Sequence, residues 1–447
     1  MSNSVINNNQ SATGPIFNKD FECASRDEIR TKQLEQLKKQ VAWTYEHVPY
    51  YQQQLDAIGF KPGDLRDFSD VESLPFTDKN VLRDTYPFGL FAVPMDTVVR
   101  LHASSGTTGK PIVVGYNQHD LEEWRYCIKT IVQMAGVVPG DRAQMAFGYG
   151  MFTGGFGLHY GLEDLGCMMI PAGSGNTERH LMMIDDYKTT VLIATPSYAM
   201  HMCETGEQLG YDWSSSSLRV GLFGGEPCPP LLKHRIEERM HIFCTDNYGL
   251  TEVMGPGVSG ECLFARDQQH IVEDHFYWEV IDPKTGKVLP EGSEGELVLT
   301  PLNKQAFPVL RYRTRDLTVV TTEPCACGRT TARMSKVRSR TDDMLIIRGT
   351  NVFPSQFEDI LHNIKGASPF YSLIVENSTG LDRLTLKLEL EPAYFSDSFA
   401  ELDSYRQNVA EKLRSVLQVS VDVKLVAPGS IERTTGKAKH VEDLRKL

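Results

Sequence analysis

Between Asp27 and Leu55, apolar residues return at steps of three and four, with Ile29, Leu34, Leu37, Val41, Trp43 and Val48 set among charges. This spacing predicts a helical segment, closed by Pro49 and then by Gly59, Pro62 and Gly63. After Arg100 the texture alternates. Ile112-Val113-Val114 reads as a strand and 119–135 as a helix. Met168-Met169-Ile170, Val191-Leu192-Ile193-Ala194 and Val220-Gly221-Leu222-Phe223 are short continuous apolar runs, suited to strands covered on both faces. An α/β core over about 95–255 follows. From His270 to Val320, alternation as in Trp278-Glu279-Val280-Ile281-Asp282 and Gly295-Glu296-Leu297-Val298-Leu299 predicts a small β region. Beyond Arg340, the runs 344–347, 355–363, 384–390, 401–417 and 421–426 read strand, helix, strand, helix, strand, a smaller α+β unit. The expected division is a tail over 1–14, a large domain over 15–340 and a second domain over 341–447. Residues 1–14 are Asn/Ser-rich and without periodicity, as expected of a disordered tail.

Composition narrows the class. The 447 residues are about three times the ~150 typical of one domain. Apolar residues at 41% and charged ones at 23% are globular proportions. Lys+Arg 46 against Asp+Glu 58 leaves −12, which repels phosphate backbones and anionic lipid and argues against a general nucleic-acid or membrane partner. A local basic pocket for a small phosphorylated ligand stays open. No signal peptide and no apolar run of membrane-spanning length is expected. Nine scattered cysteines suggest reduced thiols and a cytoplasmic setting.

The densest chemistry lies in Ser104-Ser105-Gly106-Thr107-Thr108-Gly109-Lys110-Pro111. Glycines let backbone N–H groups turn toward an anion, hydroxyls add donors, and Lys110 adds charge. It is not the common NTPase loop, because Ser104 replaces the first glycine and Pro111 follows the lysine. This stretch resembles the phosphate loop of the adenylate-forming acyl-CoA synthetases, and Ala103 to Tyr116 is similar to the phenylacetate–CoA ligase family. Further motifs of that family recur in order from Phe21 to Val441.

The resemblance implies roles for these positions. Gly224-Gly225-Glu226-Pro227 would form one wall of an adenine site. In Asp246-Asn247-Tyr248-Gly249-Leu250-Thr251-Glu252, Tyr248 would lie on adenine and Asp246 would accept from its amino group. Thr251 would meet the α-phosphate and Glu252 would hold Mg²⁺. A flat base needs an aromatic face and a hard cation needs carboxylate oxygen. Asp316, in Tyr312-Arg313-Thr314-Arg315-Asp316, would grip both ribose hydroxyls, a task for which a carboxylate has enough lone pairs. Arg315 stands where the wider superfamily has glycine. Ser339-Arg340-Thr341-Asp342-Asp343 is similar to the family's hinge, with Asp342 as pivot and Arg340 reaching toward the nucleotide. Glu432-Arg433-Thr434-Thr435-Gly436-Lys437 resembles the signature that carries the adenylating lysine, here Lys437, with Lys439 as the fallback.

Residues 147–161 hold six glycines and five aromatics, an odd mixture for a helix. Close backbone approach and flat apolar walls fit a pocket for an aromatic acid, lined by Tyr149, Phe152 and Gly154; a tightly packed glycine-rich helix is the other reading. Cys325 and Cys327, with Cys262 and His270, offer the four ligands of a closed tetrahedral Zn²⁺ site, and related ligases carry this set. His275 is the lesser candidate. The expected fold is therefore α/β, a large N-terminal adenylate-forming domain with a smaller, mobile α+β C-terminal domain. The expected activity is ATP-dependent ligation of an aryl acid, phenylacetate first, to CoA, in a homodimer. The alternatives are another aryl acid, an adenylyltransferase that never uses CoA, and a nucleotide-binding protein without activity.

Overall fold

A computed structural model describes residues 14–104, 111–337, 339–341, 345–347, 350–377, 382–396, 398–433 and 440–445. The tail expected over 1–14 lies outside them but for Gly14. The helical segment after Asp27 is two helices. Arg26–His47 starts at a capping box in which Ser25 and Glu28 satisfy each other's backbone N–H, and it buries Ile29, Leu37 and Val41. Pro49 does not end the segment. It opens a second helix, Pro49–Ala57, where its missing N–H would be unpaired anyway.

The large unit is organised by a 12-stranded sheet. Met168–Ile170, Arg142–Met145, Val191–Ala194, Val220–Phe223 and Phe243–Leu250 lie side by side and parallel, with the last three in the register Ala194↔Phe223 and Phe223↔Asp246. The strands 191–194 and 220–223 are buried at every position, as their unbroken apolar runs require. From Phe243–Leu250 the sheet continues antiparallel through Gly255–Glu261, Gln268–Ile271, Arg333–Ser335, Tyr312–Thr321, Glu294–Pro301 and Phe276–Ile281. The β region expected over 270–320 is thus the far half of the same sheet. Arg100–Ala103 and Val113–Tyr116 form a separate antiparallel hairpin.

The chain leaves this unit at Ser339–Arg340, paired to Tyr312–Thr321. The smaller unit is a four-stranded mixed sheet in the order Val421–Val426, Asp382–Leu390, Ala367–Asn377, Val441–Asp443, packed with helices Pro354–His362 and Phe399–Leu417. Its own core includes Leu373, Leu386, Val409 and Leu413, all fully buried. Strand Ala367–Asn377 was not among the predicted elements. Pro369 interrupts its pattern, and the register with Asp382–Leu390 shifts between Ala367 and Tyr371. Among the described residues no helix is long and apolar enough to cross a membrane.

Candidate active site

Three parallel strands deliver their carboxyl ends to one crevice, the place where open α/β sheets hold ligands. After Val191–Ala194 comes Thr195, which caps helix Pro196–Gln208 through its hydroxyl. After Val220–Phe223 comes the turn Gly224–Pro227. Gly225 sits at φ +82°, and a Cβ on Gly224 would lie 2.9 Å from the Asn247 carbonyl oxygen. Both positions therefore require glycine. The turn is tied to its neighbours at both ends. Asn247 Nδ2 donates to the Phe223 carbonyl at 2.5 Å, and Glu226 accepts from the Ser197 N–H at 2.8 Å and from the Ser197 hydroxyl.

The third strand carries Asp246 to Leu250. Asp246 is buried, and its backbone N–H donates to Glu261 at 2.8 Å. Burial pushes its carboxyl up to about 7, against the pull of Lys336. The Tyr248 hydroxyl donates to Asp316 at 2.5 Å, across from the strand that bears Asp316. Burial, then the Asp316 charge, holds that phenol well above its ordinary range, so it stays a donor. Arg340 closes the other side of Asp316 with an ion pair at 3.1 Å. Asp316 is thereby fixed in place from two sides. Gly249 admits no side chain either, since a Cβ would meet the Gly255 carbonyl oxygen at 2.1 Å. Just past the strand, Thr251 Oγ1 meets Thr153 Oγ1 at 3.2 Å, and Glu252 is buried beside Tyr312.

Arg315 resolves the departure from glycine noted in the sequence. Its φ is +68°, the left-handed conformation that glycine would adopt without strain. The side chain is anchored by Asp78 at 3.5 Å and Glu296 at 3.7 Å, and the Arg315 carbonyl accepts from the Thr341 N–H at 2.8 Å.

Ser104 closes the hairpin whose tip is the predicted phosphate loop. Its N–H donates to the Ile112 carbonyl at 3.0 Å, and its hydroxyl accepts from the Ile112 N–H at 3.3 Å. Ser105, Gly106, Thr107, Thr108, Gly109 and Lys110 lie outside the described residues, as do Asp342, Lys437 and Lys439. The Ala103 N–H donates to the Met151 carbonyl at 2.9 Å, which sets the end of strand Arg100–Ala103 beside the aromatic segment.

That segment divides in two. Thr153–Leu165 is a helix despite its glycines. Gly157 and Gly161 face helix Gln118–Met134, where a Cβ would lie 2.4 Å from Trp124 and 2.3 Å from Ile128. These glycines serve helix contact, not a ligand wall. Ahead of them, Phe152 is 45% exposed and packs near Phe147. Gly154 leaves it room, because a Cβ there would come within 2.3 Å of the Phe152 ring. A Cβ on Gly225 would lie 3.8 Å from Phe147 and 4.0 Å from Phe152, so the Gly224–Pro227 turn and the aromatic pair adjoin. The Tyr149 hydroxyl and His159 Nδ1 are 2.9 Å apart. Burial pushes the phenol up to about 12 and the imidazole down, so Tyr149 donates to a neutral His159.

Cys262, His270, Cys325 and Cys327 come together with their ligand atoms all within 4.8 Å of one another. The Cys262 and Cys325 sulfurs are 3.8 Å apart, and Cys327 Sγ is 3.4 Å from His270 Nε2. A tetrahedron with Zn–S bonds of about 2.3 Å has edges of about 3.8 Å, so the set fits the ion. Thr331 fixes the imidazole by contacts of its oxygens with Nδ1 at 2.9 and 3.1 Å. His275 is elsewhere. Its ring nitrogens meet Asp274 at 2.9 Å and Glu123 at 2.8 Å. Burial works against its charge, yet these carboxylates raise it to about 9.

The sequence reading missed Ser197, which steadies Glu226. Its signal was present: Thr195-Pro196-Ser197 directly follows an apolar strand and reads as a helix start.

An AMP-binding enzyme family model matches residues 40–301, and an AMP-binding enzyme C-terminal domain model matches 349–445. The chain belongs to the AMP-binding enzyme family, in its phenylacetate–coenzyme A ligase branch. The phenylacetate-coenzyme A ligase of Aromatoleum evansii is 46% identical over 95% of this chain and 96% of its own. That of Escherichia coli (strain K12) is 46% identical over 96% of this chain and 97% of its own. Among solved structures, a 2-hydroxyisobutyryl-CoA ligase in its postadenylation state superposes with a TM-score of 0.90 at 28% identity, covering 98% of this chain and 93% of that one. The same ligase in its thioesterification state gives 0.71 at 29% identity, covering 96% and 92%.

Proposed function

We propose that this chain joins phenylacetate to coenzyme A through an acyl-adenylate. It is an AMP-forming acid–CoA ligase that takes an aryl acid, ATP and CoA. The observation that supports the substrate is end-to-end similarity, at 46% identity, to proteins of that name. In the first step a carboxylate oxygen of the acid attacks the α-phosphorus of ATP. The bond to the bridging oxygen breaks and pyrophosphate leaves. In the second step the CoA sulfur attacks the acyl carbon, the bond to the AMP oxygen breaks, and the thiol proton passes to solvent.

The residues fall into roles on this reading. Tyr248 presents its ring to the base, with Asp246 and the Gly225-Glu226-Pro227 turn around it, and Asn247 and Gly249 shape the strand that carries them. Asp316, pinned by Tyr248 and Arg340, takes the ribose hydroxyls. Ser104 to Lys110, with Thr251, hold the phosphates. Glu252 would hold Mg²⁺, whose charge would offset that of the triphosphate. Tyr149, Phe152 and Gly154 border the acid. Lys437 stabilises charge building at the α-phosphate. Asp342 is the pivot between domains 15–340 and 341–447.

We assign a structural Zn²⁺ to Cys262, His270, Cys325 and Cys327. One zinc per chain in the purified protein, lost in Cys325→Ser, is the expected result; metal-free wild type would end the assignment. The activity is tested by pyrophosphate release from MgATP with a panel of aryl and alkyl acids, with and without CoA. Release that depends on phenylacetate, with thioester only when CoA is added, is expected. Release without thioester would make the protein an adenylyltransferase, and no release with any acid would overturn the reading.

A further inference from the structure

The segment leading to Lys437 is fastened to both units by one guanidinium. Arg433 donates to Glu389 of strand Asp382–Leu390 at 2.7 and 2.9 Å. It also donates to Glu204 of helix Pro196–Gln208, in the large unit, at 3.2 and 3.3 Å. Its face lies 3.4 Å over the Phe370 ring. Phe370 belongs to the small unit but is buried in a cluster of the large one, with Tyr198, Met200 and Cys203, and Ile431 packs against the same cluster. A second bridge joins Arg235, on helix Pro230–Met240, to Glu391 and to the Ala367 carbonyl.

These contacts differ in what a rotation of the small unit would do to them. Arg433, Glu389 and Phe370 would travel together. The Arg433–Glu204 and Arg235–Glu391 contacts would break. The helix that carries Glu204 has Ser197 in its first turn, and Ser197 holds Glu226 of the adenine-wall turn. Seven residues of helix, about 10 Å, separate the two. Lys437 is four residue steps from Arg433, at most about 14 Å of extended chain. One helix thus touches the nucleotide wall at its start and the approach of the lysine near its end. Moreover, the chain superposes better on the postadenylation structure of the 2-hydroxyisobutyryl-CoA ligase than on that protein's thioesterification structure at similar coverage, so the bridges are formed in an arrangement nearer the first than the second.

We propose that Glu204 is a positioning residue: by pairing with Arg433 it selects the domain orientation that brings Lys437 to the α-phosphate. The inference rests on the ligase reading above. Coupling of this kind moves an equilibrium on the order of tenfold, and a two-state element biased from both ends is what makes it more than proximity.

The test compares wild type, Glu204→Gln, which keeps the shape and removes the charge, and Glu204→Asp, which keeps the charge. Single-turnover pyrophosphate release reads the first half-reaction, and thioester formation from supplied phenylacetyl-adenylate and CoA reads the second. Amide hydrogen exchange of the ligand-free protein over 366–370 and 427–433 reads the orientation without any substrate. In Glu204→Gln, adenylation should slow about tenfold, thioester formation should hold or rise, and both segments should exchange faster. Glu204→Asp should fall between. Glu391→Gln, which breaks the second bridge, should give the same split, and serves where Glu204→Gln loses stability. Equal losses in both halves, or unchanged exchange, would overturn the proposal. If wild type adenylates no acid, the ligase reading falls and the exchange result alone decides Glu204.

Discussion

The two units present their chemistry to the crevice in contrasting ways. In the large unit, residues of the candidate nucleotide site are held by hydrogen bonds inside that unit: Asn247 by the Phe223 carbonyl, Tyr248 by Asp316, Glu226 by Ser197. In the small unit, Arg433, four positions before the candidate lysine, is held by carboxylates of both units. Short hydrogen bonds within one unit fix a surface before a ligand arrives, which favours binding. Ion pairs across two bodies can be broken and remade, which favours timing. The contrast teaches where recognition and reaction should separate under mutation.

The strongest way to break it is Lys437→Ala. Adenylate formation should fall by roughly 10²–10³-fold in single-turnover assays, while thioester formation from supplied adenylate stays nearly unchanged. Comparable loss in both would show that the small unit contributes more than timing. Next comes the static side. His275 carries its charge between Asp274 and Glu123, so with a folded pKa about 9 against an ordinary value near 6.5, its contribution is whole below pH 6.5 and disappears as pH rises through 9. Asp274→Asn should cost about 3 kcal/mol in urea unfolding at pH 6 and much less at pH 10. A smaller effect is expected from Gly161→Ala, whose methyl would meet Ile128: about 1–3 kcal/mol, read as a lower Tm, with the half-reactions kept in their normal ratio. The smallest concerns Asp246. Its carboxyl ionises near pH 7, so the KM for ATP should climb a few-fold as pH drops below 7, and Asp246→Asn should flatten that profile.

The legibility of these features in the sequence followed their physics. Continuous apolar runs such as Val191–Ala194 announced buried strands because burial on both faces leaves no alternation to read. The thiol set was legible because only a few residue types bind soft metals. Less accessible were features that depend on the partner surface. The glycines of 147–161 left two readings open, an acid pocket or a tightly packed helix, and only the approach of Trp124 and Ile128 assigns Gly157 and Gly161 to the second. Pro49 looked like a stop, although its role as a start depends on Val48 taking an extended conformation. The Glu204–Arg433 bridge joins residues 229 positions apart, beyond any local pattern.

Arg315 shows how one backbone angle can be inherited by distant parts. A left-handed arginine costs roughly 1–2 kcal/mol relative to glycine, and its two acidic neighbours, Asp78 and Glu296, offset that strain. The residue precedes Asp316, and its carbonyl receives Thr341, where the chain departs for the small unit. Whoever wishes to loosen the junction of the two units without touching the candidate reacting groups has an address: a glycine at this position would relax the departure point and the backbone beside Asp316 in the same stroke.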